Sequence, residues 1–324
     1  MRITASYSQR SSRLTILALV MAAFHQTAAG ETVSLYAGGM EVRDTAQDDS
    51  YAWELEYTKP VAQNFDFSLF YLNEGHPENH HRDGIGAQAW LRTSPLGKRL
   101  TLAAGIGPYY YFDTTRQDQP QYANQHGLGL VYSLAAAVRM NERWSLQLRF
   151  NHVNANTQFN SNTALLGIGY RPDNAHTHSD TVTEPSEITV MAGQTIVNSF
   201  DSERGQAASF EYRKAFSHHL EWTVGALKEG DNNRLRRKGI TAQAWLIQPA
   251  LKNRLNFGIG LGPYLVLDRW DADGEKGERL AGIASLSARY RITPDWLAQA
   301  TWSRVFTDDN GDADVLLIGA GYRF

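Results

Sequence analysis

The chain contains no cysteine, which excludes a disulfide framework, a thiolate metal site and a cysteine nucleophile. Its formal net charge is only -3. A protein that neutralises the phosphates of a nucleic acid carries a strong positive excess, so no nucleic-acid partner is expected. Beyond Phe24 no run approaches the roughly 18 apolar residues that read as a membrane-spanning helix. The mean hydropathy of -0.42 does not exclude a membrane home, because a barrel strand turns only alternate residues to lipid and averaging along it hides that face.

What the chain does have begins with an export signal. Arg2, Arg10 and Arg13 precede the apolar run Leu14 to Phe24, and Thr27-Ala28-Ala29 supplies small residues. That order is a secretory signal peptide over residues 1–29, with cleavage expected near Ala29. At 1.5 Å per residue the run is too short to cross about 30 Å of hydrocarbon as a helix.

From residue 33 the dominant period is two. Tyr51, Trp53, Leu55 and Tyr57 alternate with Ala52, Glu54, Glu56 and Thr58, and the same alternation runs through Leu100 to Phe112, Leu128 to Met140 and Trp144 to Phe150. Alternation alone fits a soluble sandwich as well as a membrane barrel. Three features favour the membrane. The strands run to about ten residues, as a tilted span requires. Tight connections (Ser94–Lys98, Asn141–Arg143, Thr293–Asp295) alternate with polar segments at 43–50, 73–83, 113–126, 228–238 and 268–279, which is the short-turn, long-loop pattern of outer-membrane barrels. Aromatics (Trp53, Tyr57, Tyr110, Trp144, Tyr170, Trp296, Tyr322) cluster at strand ends, where an interfacial girdle sits. The expected fold is all-β: a transmembrane antiparallel up-and-down β-barrel.

The barrel is written twice. Gly86-Ala-Gln-Ala-Trp-Leu91 returns as Thr241-Ala-Gln-Ala-Trp-Leu246, and Gly105-Ile-Gly-Pro-Tyr109 as Gly260-Leu-Gly-Pro-Tyr264. Repeats of this kind decide the architecture: eight strands over 30–172, a polar linker over 173–187 and eight more over 188–324. Tiny inward residues (Gly105, Gly107, Gly127, Gly129) with large ones (Trp90, Tyr109) point to lumens filled by side chains, as in eight-strand barrels. The alternative is a single sixteen-stranded pore.

With these residues on the page, the chain resembles bacterial outer-membrane β-barrels. The ending Gly319-Ala-Gly-Tyr322-Arg-Phe324 looks like the strand read by the barrel-assembly machinery in that class, which makes Tyr322 and Phe324 the expected assembly signal. Trp144-Ser-Leu-Gln-Leu-Arg-Phe-Asn-His152-Val-Asn154 further resembles the lipid A 3-O-deacylases, eight-stranded esterases with a Ser-His-Glu triad. His152 matches that family's histidine, but Asn154 stands where its serine belongs, no glutamate occurs from 144 to 183, and Arg304 replaces the histidine in the second unit. Without the hydroxyl there is no acyl-enzyme and nothing for His152 to activate.

Inward polar residues recur in both copies: Glu56 with Glu211, Asp66 with Glu221, Gln88 with Gln243, Arg139 with Arg291, Gln147 with Gln299 and Arg171 with Arg323. A filled lumen needs its charges mutually satisfied, so these read as a structural network. The cluster His76, His80, His81 is the densest candidate for zinc or base chemistry, but its counterpart at 228–238 holds no histidine, and no metal or cofactor is expected. Arg234, Arg236, Arg237 and Lys238 are candidates for lipopolysaccharide phosphates, which guanidinium groups pair well. The expected function is a non-enzymatic outer-membrane protein whose partners are outer-membrane lipid, lipopolysaccharide and the assembly machinery. The alternatives are a lipid A or phospholipid acyl hydrolase and a saccharide or solute pore.

Overall fold

A computed structural model of the chain describes residues 30–43, 49–77, 79–116, 122–155, 159–172, 186–199, 201–217, 219–230, 235–251, 253–271 and 279–324. The expected signal peptide lies outside them, as does nearly all of the expected linker. Sixteen strands form two closed antiparallel barrels. The first contains β1 (Thr32–Val42), β2 (Asp49–Ala62), β3 (Phe65–Asn73), β4 (His80–Thr93), β5 (Leu100–Arg116), β6 (Tyr122–Arg139), β7 (Trp144–Ala155) and β8 (Ser161–Tyr170). The second contains β9 (Glu187–Val197), β10 (Arg204–Ser217), β11 (Leu220–Gly230), β12 (Leu235–Ala250), β13 (Leu255–Asp271), β14 (Leu280–Arg291), β15 (Trp296–Phe306) and β16 (Ala313–Arg323).

Closure settles the strand number. β8 pairs back onto β1, with Tyr170 opposite Val33, and β16 pairs onto β9, with Tyr322 opposite Ile188. The sixteen-strand alternative therefore gives way to two eight-strand rings. A closed ring has no edge, so every strand finds its backbone partners, as hydrocarbon demands.

The alternation sorts the side chains as the period of two requires. Leu35, Leu128, Leu130, Leu134, Leu148, Phe150, Leu166 and Ile168 of the first barrel are exposed on its outer wall, as are Val190, Ile240, Leu265, Leu267, Leu316 and Ile318 of the second. In water, apolar bands this large would be aggregation surfaces; against acyl chains they are the solvated face. Inside, the large rings lie over glycine. A Cβ on Gly105 would come within 2.6 Å of the Trp90 indole, and one on Gly260 within 2.7 Å of Trp245. Any other residue at either position would force the indole or the strand to shift.

Gly30 and the turns after β2, β4 and β6 lie at one rim of the first barrel, and Phe324 and the turns after β10, β12 and β14 at the matching rim of the second; in outer-membrane barrels the short-turn rim faces the periplasm. On the opposite rim the walls reach further than the sequence suggests. β5 runs 17 residues and β6 18, beyond the 9–11 that a bilayer needs. His80–Asp83, Asp113–Arg116 and Leu235–Lys238 therefore belong to strands and not to loops. Pairing between strands satisfies their polar backbone groups as well as water would.

Candidate functional site

Each lumen is crossed by a polar network. In the first barrel Arg149 of β7 bonds Glu54, and reaches Glu56 of β2 at 2.7 Å. Its guanidinium lies 4.4 Å from the Tyr36 ring centroid and 4.7 Å from that of Trp90, a cation–π seat out of contact with water. Tyr36 donates to Gln147, and Gln147 to Ser34 at 3.0 Å. Asn151 bonds Glu54 at 2.8 Å and accepts from Ser133, which accepts from Gln88, both at 2.7 Å. Nearer the outer rim Arg82 forks onto Glu74 at 2.6 and 2.7 Å, and Tyr109 donates to the same carboxylate at 3.1 Å.

The second barrel repeats the neutral part and the upper pair. Gln243 donates to Ser285 at 2.8 Å, Trp245 to Thr223 at 2.9 Å, and Arg237 sits on Glu229 at 2.9 Å. Its lower charges are arranged differently. Arg213 bridges Glu211 and Glu221, each at 2.9 Å, while Arg289 bridges Glu221 at 2.6 Å and Glu187. Arg323 closes on Glu187 at 3.0 Å. Below this network is a cavity of about 60 Å³ lined by Glu187, Arg213, Glu221, Arg291 and Arg323 among others. Glu187 thus belongs to β9 and is buried, although the sequence reading ends the linker on it.

Of the expected network residues, Glu56, Gln88, Gln147, Glu211, Glu221, Gln243, Gln299 and Arg323 are joined to it. Asp66 pairs instead with Arg92 at the short-turn mouth of the barrel, at 3.1 Å. Arg139 and Arg171 stand at that same mouth, and Arg291 lines the cavity of the second barrel.

The expected lipopolysaccharide contacts divide. Arg234 lies outside the described residues. Arg237 is fully buried in the lumen and cannot reach a lipid phosphate. The sequence reading lost it by treating 228–238 as loop, where alternation carries no meaning; as part of β12 it falls on the inward parity. Arg236 and Lys238 face outward and are exposed, Arg236 opposite Trp270 and Lys238 bridged to Asp268 at 3.0 Å. Exposed Lys228 stands opposite Lys238. This basic cluster lies above the apolar positions Val224, Ala226, Ile240 and Leu265 on the outer wall.

The same outer face of the first barrel is put to another use. Asp83 occupies the place of Lys238 and receives Arg304 of β15 at 2.6 Å, while Arg304 also holds Asp314 at 2.8 Å. Tyr71 donates to Asp83 at 2.6 Å and packs edge-on to Trp302, with ring centroids 5.0 Å apart. Phe306 lies against Phe112 at 5.3 Å, His126 meets Asp312 at 2.7 Å, and the Tyr122 hydroxyl donates to the Asn310 carbonyl at 2.9 Å. The two barrels thus join side by side through their outward residues near the outer rim.

His152 points outward on β7, and its ring bonds the side chain of Asn162 at 2.9 Å beside Tyr132. The amide it meets belongs to Asn162 on the neighbouring strand β8, not to Asn154. His76 and His81 pack ring to ring at 4.2 Å, and His80 bonds Asp113 at 3.2 Å. Among the described residues no group of acidic and histidine side chains could hold a metal ion. Tyr322 packs on Trp296 at 5.3 Å and on Phe324 at 6.5 Å, forming an aromatic cluster at the short-turn rim.

Sequence reasoning missed Glu54, Glu74, Arg82, Arg149, Glu187, Arg213, Glu229 and Arg289. Glu74 and Arg82 could have been found, because they recur as Glu229 and Arg237 and keep the inward parity of Gln88 and Trp90. Arg149 and Arg289 have no counterpart in the other unit, so parity marks them as inward but no recurrence marks them as part of a site.

No family model matches the chain, and no curated protein matches it. Among solved structures it is similar to the N-terminal β-barrel domain of Pseudomonas aeruginosa OprF (13% identity, 44% of this chain and 98% of that one, TM-score 0.36). It is also similar to Neisserial surface protein A (13%, 45% and 99%, TM-score 0.38) and to Ail, the attachment invasion locus protein of Yersinia pestis (13%, 44% and 99%, TM-score 0.34). In each case nearly all of the known chain is laid against less than half of this one.

Proposed function

We propose that the chain is a non-enzymatic, non-conducting outer-membrane protein whose paired barrels hold lipopolysaccharide by its phosphates on the outer wall of the second barrel. The observation that carries this reading is the cluster Lys228, Arg236 and Lys238 directly above an apolar belt. At that height a membrane-seated barrel meets the headgroups of the outer leaflet. Fixed cations beside Trp270 suit a phosphorylated saccharide carried on acyl chains, since aromatic rings favour the interface and cations pair with phosphate. The closed character of both lumens, crossed at mid-height by Arg149 with Glu54 and by Arg289 with Glu221, disfavours a solute path. The amide contact of His152 disfavours acyl transfer.

The test is binding of bisphosphorylated lipid A, and of its dephosphorylated form, to the full chain in neutral nanodiscs. The expected result is a preference for the phosphorylated lipid that falls about tenfold or more in the K228Q/R236Q/K238Q variant and weakens with added salt. Equal binding of both lipids, or an unchanged affinity in the variant, would refute the reading.

A further inference from the structure

The periplasmic mouths of the two barrels share two arginine positions but differ in what answers them. In the second barrel Arg323 is bridged by Glu187 at 3.0 Å, and Arg289 and Arg213 share Glu221. In the first barrel Thr32 occupies the place of Glu187. Three guanidinium groups converge there: Arg92 from β4, Arg139 from the end of β6 and Arg171 just past β8. Among the described residues one carboxylate, Asp66, forms an ion pair with this group, and it is engaged by Arg92 at 3.1 Å. The next carboxylates up the lumen, Glu54 and Glu56, are taken by Arg149. Gln147 closes the space above, lying so tightly over Gly169 that a Cβ there would meet its amide nitrogen at 1.9 Å. The arginine cluster is therefore capped on its lumen side by Gln147.

Within it Arg139 is exposed, while Arg171 is partly withdrawn and its Nε is shut off from solvent without a hydrogen-bond partner. Burial, and then the charges of Arg139 and Arg92, pull the Arg171 guanidinium below its ordinary pKa. Like charges held this close favour a bound counter-charge.

We propose that the periplasmic mouth of the first barrel binds a phosphate-class anion between Arg139 and Arg171, with Arg92 as the third cation. Planar guanidinium forks match the acceptor oxygens of phosphate two at a time. The tetrahedral anion has enough oxygens for forks from two strands. The same chemistry arrives either as a soluble phosphate from the periplasm or as an anionic phospholipid headgroup of the inner leaflet.

The test uses the full chain in phosphatidylcholine nanodiscs, titrated with inorganic phosphate by calorimetry, and a second set of discs containing phosphatidylglycerol. Saturable phosphate binding that weakens about tenfold in R139Q and in R171Q supports the site with a soluble ligand. Enrichment of phosphatidylglycerol around the protein, lost in the same variants, supports it with the headgroup as source. R236Q, which lies on the opposite rim, leaves either signal unchanged, so failure here is separable from failure of the lipopolysaccharide reading. Neither signal at millimolar phosphate, or equal signals in wild type, R139Q and R171Q, overturns the proposal. Circular dichroism of each variant verifies that the barrels remain folded.

Discussion

The two barrels are one design with different charge arrangements. Both lay an indole over glycine, both hold a Gln–Ser bond at mid-lumen, and both place a Glu–Arg pair beneath the outer rim, Glu74–Arg82 and Glu229–Arg237. They differ where charge only has to balance. The first barrel places a single Arg149 between Glu54 and Glu56, and the second shares Arg213 and Arg289 among Glu187, Glu211 and Glu221. Wall positions are held by sterics, which leave few choices in a close-packed interior. A buried network is held only by the need to leave no charge unpaired, and several arrangements meet that need.

The outer walls diverge further. The positions that carry His81 and Asp83 in the first barrel carry Arg236 and Lys238 in the second, and Arg304 with Asp314 stands where the first barrel has His152 with Asn162. One acidic face therefore meets one arginine within the chain. The equivalent faces on the far sides of the pair carry neither partner.

The sharpest way to break this comparison is at Arg149. R149M leaves Glu54 and Glu56 facing each other inside the first barrel, and removing one side of a buried pair costs about 3–5 kcal/mol. Urea unfolding followed by a label on each barrel is expected to show the first transition moved and the second in place. A shared shift would mean that the barrels do not fold as separate units. Restoring neutrality with E54Q/E56Q should recover most of the loss.

A smaller effect is expected at the junction. R304Q leaves Asp83 and Asp314 without their cation, where hydrogen bonds to a charged group contribute about 1.5–3 kcal/mol. Because the chain has no cysteine, spin labels can be placed through Q125C and D308C, one on each barrel beside the contact. A single narrow distance in the wild type should broaden in R304Q. An unchanged distribution would show that the aromatic contacts alone hold the pair.

The smallest effect belongs to the loop after β15. Burial pushes the Asp309 carboxyl up, but hydrogen bonds from Arg269 and Thr307 and the charge of Arg269 outweigh it and hold the group below its ordinary pKa. A depressed carboxylate contributes stability that is present above its unfolded pKa and lost as pH falls through the folded one. For a partly exposed pair that contribution is under about 1 kcal/mol. D309N should therefore lower the second barrel's stability at neutral pH by under about 1 kcal/mol, leave it nearly unchanged in acid, and so flatten the acid side of its stability profile. A profile that stays steep in D309N would put the acid sensitivity elsewhere.

The wall was legible in the chain because its signal is local. Leu100 to Phe112 alternates whatever the rest of the protein does, and the repeated Gln-Ala-Trp-Leu announces two units. The site was less legible. Parity alone would have placed Arg82 and Arg237 inside, had the strands been carried past the apolar belt. Arg149 and Arg289 could be placed on the inward face by parity, but their partners lie on other strands, at distances along the chain that no period encodes.

By itself, the sequence determined the strand period and which face of each strand meets an apolar surround, since these follow from neighbours two residues apart, and its recurring motifs pointed to two units. Only the tertiary structure decided that the ring closes at eight, that Arg237 is buried while Arg236 is exposed, and that Asp83 meets Arg304 across two barrels. Those outcomes depend on register and on contacts between residues as many as 221 apart in the chain, and pairing of that kind exists only once both rings have closed.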